Sequence, residues 1–570
     1  MKRAHLVRQG GLLAALLAGF LLALLAGALG DVLALVVLGS LGLHVVEVVL
    51  HRLLAGAFPR QVEIVRGELH ARLVLEQTLV LVAILRSGQL SSRAEAVVVV
   101  AVFALQALRI AYSGLQLADG GLRQRRAELR NLVAPGTEPL PPRDWSLRVS
   151  ELVVHAGVLL PLALGWGLLT GSYDLVVPAA FAMVLLALAV VCAAARAVRT
   201  LLRLPRGAEL LRLVHEAVLR HEPQVMLYST GDANTAHWIR PWTDVMDNLG
   251  RPALIMLRER NALDLFTGTK TPVVCLPEAP DVLPFRLPSA RVALFVANGA
   301  ENARLLRNPV LKSAFIGHGD SDKSSSVNPF TRVYDEVWVA GEAGRQRFLN
   351  ANVGVPIEKI RVVGRPQIHR IERGAPPATG APYTVLYAPT WEGVSRDPYD
   401  SSLLLNGLDV VRTLLSVDGI RVIYRPHPAT GTRNAALARI DEQVTAMLDA
   451  AGPSHTVVRH GGPDLYACFN AADALVADVS GVVSDFLASE KPYFVVNGAG
   501  LPDEDFRKRV PSAGAAYLVG PGAAGLVAGL SSARGPDPLR ERRRALRTYL
   551  IGPPVDDPMA VFRSAIDALG

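Results

Sequence analysis

The chain is poor in cysteine. Cys192, Cys275 and Cys468 stand far apart in 570 residues, with no C-x-x-C pair. That excludes a disulfide framework and offers no zinc spacing, so buried structural thiols are the expectation. Acidic residues are outnumbered, 51 against 59 Lys and Arg, for a formal net charge of +8. Chemical signatures are missing too. There is no G-x-x-x-x-G-K-[ST] phosphate loop, no G-x-S-x-G elbow and no metal-spaced histidine cluster. His44 and Glu47 form an H-x-x-E-like pair, but with the wrong partners for zinc hydrolysis. No metal and no cofactor is therefore expected.

What abounds is apolar. Hydrophobic residues make up 51% of the chain, and mean hydropathy is +0.30. That is high for an ordinary soluble enzyme and points to a membrane portion. Apolar runs cover roughly 11–29, 32–54, 72–88, 95–113, 152–171 and 174–196. Each approaches the length of a bilayer crossing. The first is long for a cleaved signal peptide, and other spans follow it. Arginines cluster before the first run and after the second, fourth and sixth. The positive-inside rule then gives about six spans with both ends cytoplasmic. The basic excess reads as attraction to anionic lipid, and no nucleic-acid partner is expected. His44, Glu47, Glu76, Gln106 and His155 fall inside the runs. Ionisable groups at membrane depth suggest function, with mutual pairing as the plainer alternative. Residues 201–222 read as a basic amphipathic connector, either on the inner leaflet or packed on the next domain.

From Pro223 the texture changes. Short apolar runs alternate with helical stretches: 225–228, 253–257, 273–276, 292–297, 314–317, 336–340 and 360–363. After a Pro- and Gly-rich break at 373–382 the pattern resumes at 385–388, 422–425, 456–459, 474–477 and 493–497. Near-continuous apolar strands between helices indicate parallel sheets covered on both faces. The fold class is thus an α-helical membrane domain followed by α/β, with two doubly wound Rossmann-like domains. The expected divisions are 1–200, the connector 201–222, a first Rossmann-like domain 223–372, the hinge 373–382, and a second Rossmann-like domain 383–570. The arginine-rich stretch after Leu530 reads as a solvated surface helix, or one touching lipid or an anionic polymer.

Four motifs follow predicted strands: G-H-G-D-S-D-K at 317–323, A-P-T-W at 388–391, R-P-H-P at 425–428 and D-V-S-G-V-V-S-D-F at 478–486. In open α/β sheets ligands sit beyond the carboxyl ends of the strands, so the four point to one cleft. A strand–turn–helix at 478–486 aims backbone N–H groups at an anion. Together the motifs suit a nucleotide diphosphate donor. His318, between two glycines, can take a proton from an attacking hydroxyl, or merely bond backbone as a loop histidine. Lys323 can neutralise phosphate. Arg425 and His427, aimed by Pro426 and Pro428, suit a diphosphate whose charge rises on departure, or form only a rigid turn. Trp391 can stack on a base or only pack.

These residues resemble the CDP-glycerol glycerophosphotransferases, the teichoic-acid primases and polymerases, over roughly 223–565. The resemblance rests on H-G-x-x-x-K at 318–323, A-P-T-W, R-x-H-P, and A-D-A-L-V-A-D-V-S-G-V-V-S-D-F at 472–486 followed by Lys491-Pro492. It implies a two-domain glycosyltransferase-B fold and metal-independent attack of a polyol hydroxyl on the β-phosphate of a CDP-linked donor, releasing CMP. It implies His318 and His427 as catalytic. It implies a donor site of Gly319, Lys323, Gln367, Pro389, Thr390, Arg425, Pro426, Ser480, Gly481 and Asp485. The implied partners are CDP-glycerol or a similar donor and a lipid-linked or cell-wall polymer acceptor at the membrane. Gln367 and Gly481 depart from the family's pattern. They keep open an alternative, a glycosyltransferase of the same fold that uses a nucleotide sugar for capsule or lipid glycosylation.

Overall fold

The computed structural model describes the chain except residues 1, 31, 58–61, 150, 151, 154, 232–238, 264, 265, 267, 319–326, 375–379, 393–400, 460, 461 and 499, and the side chains of 2–15, 47, 48, 50–57 and 62–71. The chain divides into two compact units. One is helical and holds residues 1–126 and 139–207; the other holds 127–138 and 208–570.

The helical unit contains α1 (Lys2–Leu29), α2 (Leu33–Ala57), α3 (Val62–Ser87), α4 (Ser92–Arg125) and the helices Leu159–Thr170 and Val176–Arg203. All six apolar runs are therefore mainly helical over their described residues. Among the described residues, two of these helices, Ser92–Arg125 and Val176–Arg203, are long and apolar enough to cross a membrane. Leu16–Leu29, Leu33–Val46 and Ala156–Thr170 are shorter apolar segments, so the expectation of about six spans reduces to two by this measure. In the described part of α3, Arg72, Glu76 and Gln77 interrupt the apolar sequence.

The second unit carries two sheets. The first has the order β1 (Glu128–Arg130), β4 (Val273–Cys275), β3 (Ala253–Leu257), β2 (Val225–Ser229), β5 (Val292–Phe295), β6 (Lys312–Phe315), β7 (Glu336–Val339), β8 (Ile360–Val362). The second runs β11 (Thr456–Val457), β10 (Ile420–Tyr424), β9 (Tyr383–Ala388), β12 (Ala474–Ala477), β13 (Tyr493–Val496), β14 (Tyr517–Val519). From β2 and from β9 the strands proceed outward one way and then the other, the doubly wound order whose switch point lies beside the founding strand. Strands β2 and β9 are buried along their whole length, which is why they read as unbroken apolar runs. All twelve expected strands form. Two were not foreseen: β14, and β1, which pairs antiparallel with β4 at the edge. The stretch 127–138 thus interrupts the helical unit and joins the α/β unit, which no local pattern announces.

One expectation is narrowed to one of its two alternatives, and two change. The connector helix Gly207–His221 buries Leu210, Val214, Ala217 and Val218 with Met226, Tyr228 and Leu254 of the first sheet. Its apolar face is spent on the sheet and does not face lipid. The final helix, Pro558–Leu569, packs Met559, Phe562 and Ile566 into the core of the first sheet, so the domain begun at 383 ends before it. The helix Arg540–Ile551 is not merely solvated. Arg543 is 1% exposed, ion-paired with Asp537, and donates to the Glu490 carbonyl at 3.2 Å; Arg547 is buried as well.

Candidate active site

Three loops leave the carboxyl ends of β9, β10 and β12, at the switch point of the second sheet. Their own side chains tie them together. The Thr390 N–H donates to Oδ2 of buried Asp478 at 2.8 Å, joining the β9 and β12 loops. Glu392 accepts from the backbone N–H groups of Gly431, Arg433 and Asn434 at 3.0, 2.8 and 3.1 Å, joining the β9 and β10 loops. Burial works to raise the Glu392 pKa, but these N–H groups outweigh it and hold the carboxyl below its usual value. Trp391 stacks on His427, ring centroids 5.7 Å apart and planes 18° apart, with the Arg433 guanidinium 5.6 Å from the Trp391 centroid. Trp391 therefore packs on the imidazole.

Within R-P-H-P, Pro426 is buried and the Arg425 N–H donates to the Tyr387 carbonyl at 2.9 Å. The Ala429 N–H donates to His427 Nδ1 at 3.1 Å. That bond makes Nδ1 the acceptor, so a neutral ring carries its proton on Nε2 and can donate from there. Arg425 reaches toward Cys468 and Asp464. Burial pushes the Cys468 thiol up, and the Arg425 charge opposes that. Asp464 sits low despite its burial, because the Ala467 N–H and the Arg370 guanidinium bind it.

Ser480 and Gly481 open the helix Gly481–Phe486, both half-buried. Asp485 lies inside that helix, away from the opening. It is ion-paired with Arg365, Nη2 to Oδ1 and Oδ2 at 2.7 and 2.8 Å, and accepts from Tyr466 Oη at 3.0 Å. Burial and the Asp485 charge raise the Tyr466 pKa, keeping the phenol a donor. The carboxylate is thereby engaged by protein and is not poised for sugar or glycerol hydroxyls. Neighbouring Gln367 is 1% exposed. Pro389 is buried at the end of β9. Lys491 is structural: its ammonium donates to the carbonyls of Phe469, Asn470 and Ala472 at 2.9, 3.1 and 2.7 Å, and burial lowers its pKa.

On the first sheet, His318 is exposed just beyond β6, and the Trp242 indole holds the preceding Gly317 carbonyl at 2.9 Å. Gly319 and Lys323 lie outside the described residues. A cavity at the ends of β6, β7 and β8 is lined by Gly317, Arg347, Arg365, Trp242, Trp338 and Phe562. Arg365 thus lines the cavity beside His318's strand and also grips Asp485 of the second domain. Among the described residues, several buried polar atoms have no hydrogen-bond partner: Ser480 Oγ, Thr430 Oγ1, Arg425 Nε and both amide atoms of Gln367. Such atoms are unusual and suit a polar ligand.

The sequence did not single out Glu392, Tyr466 or Asp464. Only the position of Glu392, directly after A-P-T-W, hinted at it. Among the described residues no three His, Cys, Asp or Glu side chains gather as for a metal ion.

No curated protein matches the chain. Solved structures similar to it include the Wall Teichoic Acid Polymerase TagF, at 14% identity and TM-score 0.38, covering 63% of this chain and 92% of that one. A UDP-N-acetylglucosamine 2-epimerase is similar at 12% identity and TM-score 0.37, over 60% and 95% of the two chains. Anabaena Alr3699/HepE in complex with UDP and glucose is similar at 12% and 0.38, over 61% and 99%. Residues 354–497 match the family model of CDP-Glycerol:Poly(glycerophosphate) glycerophosphotransferase. That segment contains the β9, β10 and β12 loops, so it is residues 354–497 that carry the pattern of the CDP-glycerol glycerophosphotransferases.

Proposed function

We propose that the protein is a membrane-bound transferase. It moves glycerol phosphate, or a similar polyol phosphate, from a CDP-linked donor to a lipid-linked or cell-wall polymer acceptor and releases CMP, in the making of a teichoic-acid-like polymer. The observation that carries this reading is the coincidence of the family segment with the three cross-tied loops and their unpaired polar atoms.

In this reading His427 donates from Nε2 to the diphosphate, where negative charge grows as CMP leaves. Arg425 adds a fixed positive charge. Preorganised donors aimed at developing charge act strongly in such sites. Ser480 and the Gly481 backbone contact phosphate, and Pro389 and Thr390 shape the nucleotide pocket. His318 receives the proton of the attacking hydroxyl, and Gly319 and Lys323, which follow it in the sequence, serve the donor's phosphates. Arg365 and Asp485 act on the site by holding the two domains together. The helices Ser92–Arg125 and Val176–Arg203 anchor the enzyme. The remaining apolar helices complete a multi-pass unit, with the arginine clusters and the α/β unit on the cytoplasmic side, where nucleotide-activated donors are made.

The test is membranes of expressing cells given labelled CDP-glycerol, with CMP release and label transfer to lipid or polymer as readouts. Release that His427→Ala abolishes supports the reading. No release with several CDP-polyols, alongside selective stabilisation by UDP or GDP over CDP, refutes it in favour of a sugar transferase.

A further inference from the structure

The helical unit holds a buried polar chain that glycerophosphate transfer does not use. Four segments build it: Ser40 and His44 from α2, Glu76 and Gln77 from α3, Gln106 and Arg109 from α4, and His155 from the segment before the helix Leu159–Thr170. Ser40, His44, Glu76, Gln77 and Arg109 are all at most 4% exposed, while His155 is half-buried. The His44 and His155 rings meet edge to face with Nδ1 to Nδ1 at 2.7 Å. On its other side, His44 Nε2 lies 3.8 Å from Glu76 Oε1 and has no hydrogen-bond partner among the described residues. Ser40 Oγ hydrogen-bonds the same Glu76 oxygen, and Gln77 donates to the other at 2.8 Å.

Two Nδ1 atoms at that distance need one proton between them, because each neutral imidazole has one donor and one acceptor nitrogen. If His155 donates, His44 must carry its own proton on Nε2, facing Glu76. From these positions we infer that the helical unit contains a proton relay running from His155 through His44 to Glu76.

The step balances. On acidification, hydronium reaching half-buried His155 gives a proton to its Nε2, forming an imidazolium and leaving water. The His155 Nδ1 proton passes to His44 Nδ1. The His44 Nε2 proton passes to Glu76 Oε1, a gap that a small side-chain shift closes. Both imidazoles end neutral, Glu76 ends as the acid, and the 2.7 Å bond persists with its direction reversed. One proton has been taken up and none lost. Among the described residues, the other charged side chain facing this chain is Arg109, whose guanidinium donates to Gln106 Oε1 at 3.4 Å and the Val153 carbonyl at 3.5 Å; Arg72 also lies on α3, one turn before Glu76. The described part of α1 and the helix Leu159–Thr170 bring no charged side chain, and the helix Val176–Arg203 carries its charges only from Arg196 onward. Ionisable chains of this kind inside apolar helices suit proton-coupled work.

The test uses the full chain in lipid vesicles, with infrared difference spectra after a pH jump. A carboxylic-acid stretch should appear on acidification and vanish in Glu76→Gln. In His44→Phe its rise should slow by about tenfold or more, since positioned proton carriers typically speed transfer by about 10² to 10⁴. An unchanged rate, or a band that survives Glu76→Gln, overturns the relay. Should His44→Phe fail to fold, His155→Gln at the half-buried end carries the same expectation. In the unaltered chain, ¹⁵N-histidine spectra should show one coupled pair; two independent titrations would overturn the proposal without any variant.

Discussion

Asp485→Asn provides the sharpest test of how the α/β unit is held together. Arg365 follows β8 in the first domain, and Asp485 belongs to the second. Both are under 10% exposed and meet at 2.7 and 2.8 Å. Removing one partner strands a buried charge, which costs about 3–5 kcal/mol; replacing both with apolar groups of similar volume is often close to neutral. Arg365→Met alone should therefore destabilise by about 3 kcal/mol or more. For the α/β unit, residues 127–138 and 208–570, that lowers the melting temperature by about 4 °C or more. Asp485→Asn, which keeps some hydrogen bonding to Tyr466 and Arg365, should cost somewhat less. The double variant Arg365→Met/Asp485→Leu should recover most of the loss. The assay is thermal unfolding of the purified chain followed by intrinsic fluorescence, combined as a double-mutant cycle. Additive losses in the double variant would refute a coupled pair. If instead Asp485→Asn left stability intact while raising the donor KM, Asp485 would be a ligand-contacting residue after all.

Other outcomes follow from the same geometry. Glu392 has a folded pKa below its ordinary 4.5, so its stabilisation is complete above that value and lost as pH falls through the folded one; the stability difference between the protein and Glu392→Gln should be flat above about pH 5 and shrink on acidification. His427→Ala should lower kcat by about 10²- to 10³-fold with little change in melting temperature, as expected for a lost transition-state donor. Gly341→Ala would place a Cβ 2.5 Å from the Tyr549 carbonyl oxygen, a backbone atom that cannot step aside; limited proteolysis should show a loosened junction between the helices Glu342–Ala351 and Arg540–Ile551. Val214→Asp should destabilise the α/β unit by about 3 kcal/mol or more, because Val214 is fully buried on the first sheet; an effect confined to vesicle binding would restore the lipid-facing reading of that helix.

The sequence by itself determined what repeats locally. Alternation of apolar runs with helical stretches set twelve strands and both doubly wound sheets, because a strand buried on two faces must be apolar throughout. Motifs that end strands were placed correctly at the carboxyl edge, since a parallel sheet leaves the chain nowhere else to go. The tertiary structure alone decided which charges meet. Asp485 looks available in sequence, yet Arg365, 120 residues away, occupies it. Arg543 looks solvated, yet Asp537 and the Glu490 carbonyl bury it. The helix Gly207–His221 has the pattern of a lipid-facing helix, and only the neighbouring sheet settles what its apolar stripe covers. Strand β1 and the return of the final helix to the first sheet are likewise pairings across more than a hundred residues. Local periodicity reports that a face must be buried; the partner that buries it is chosen by contacts no window along the chain contains.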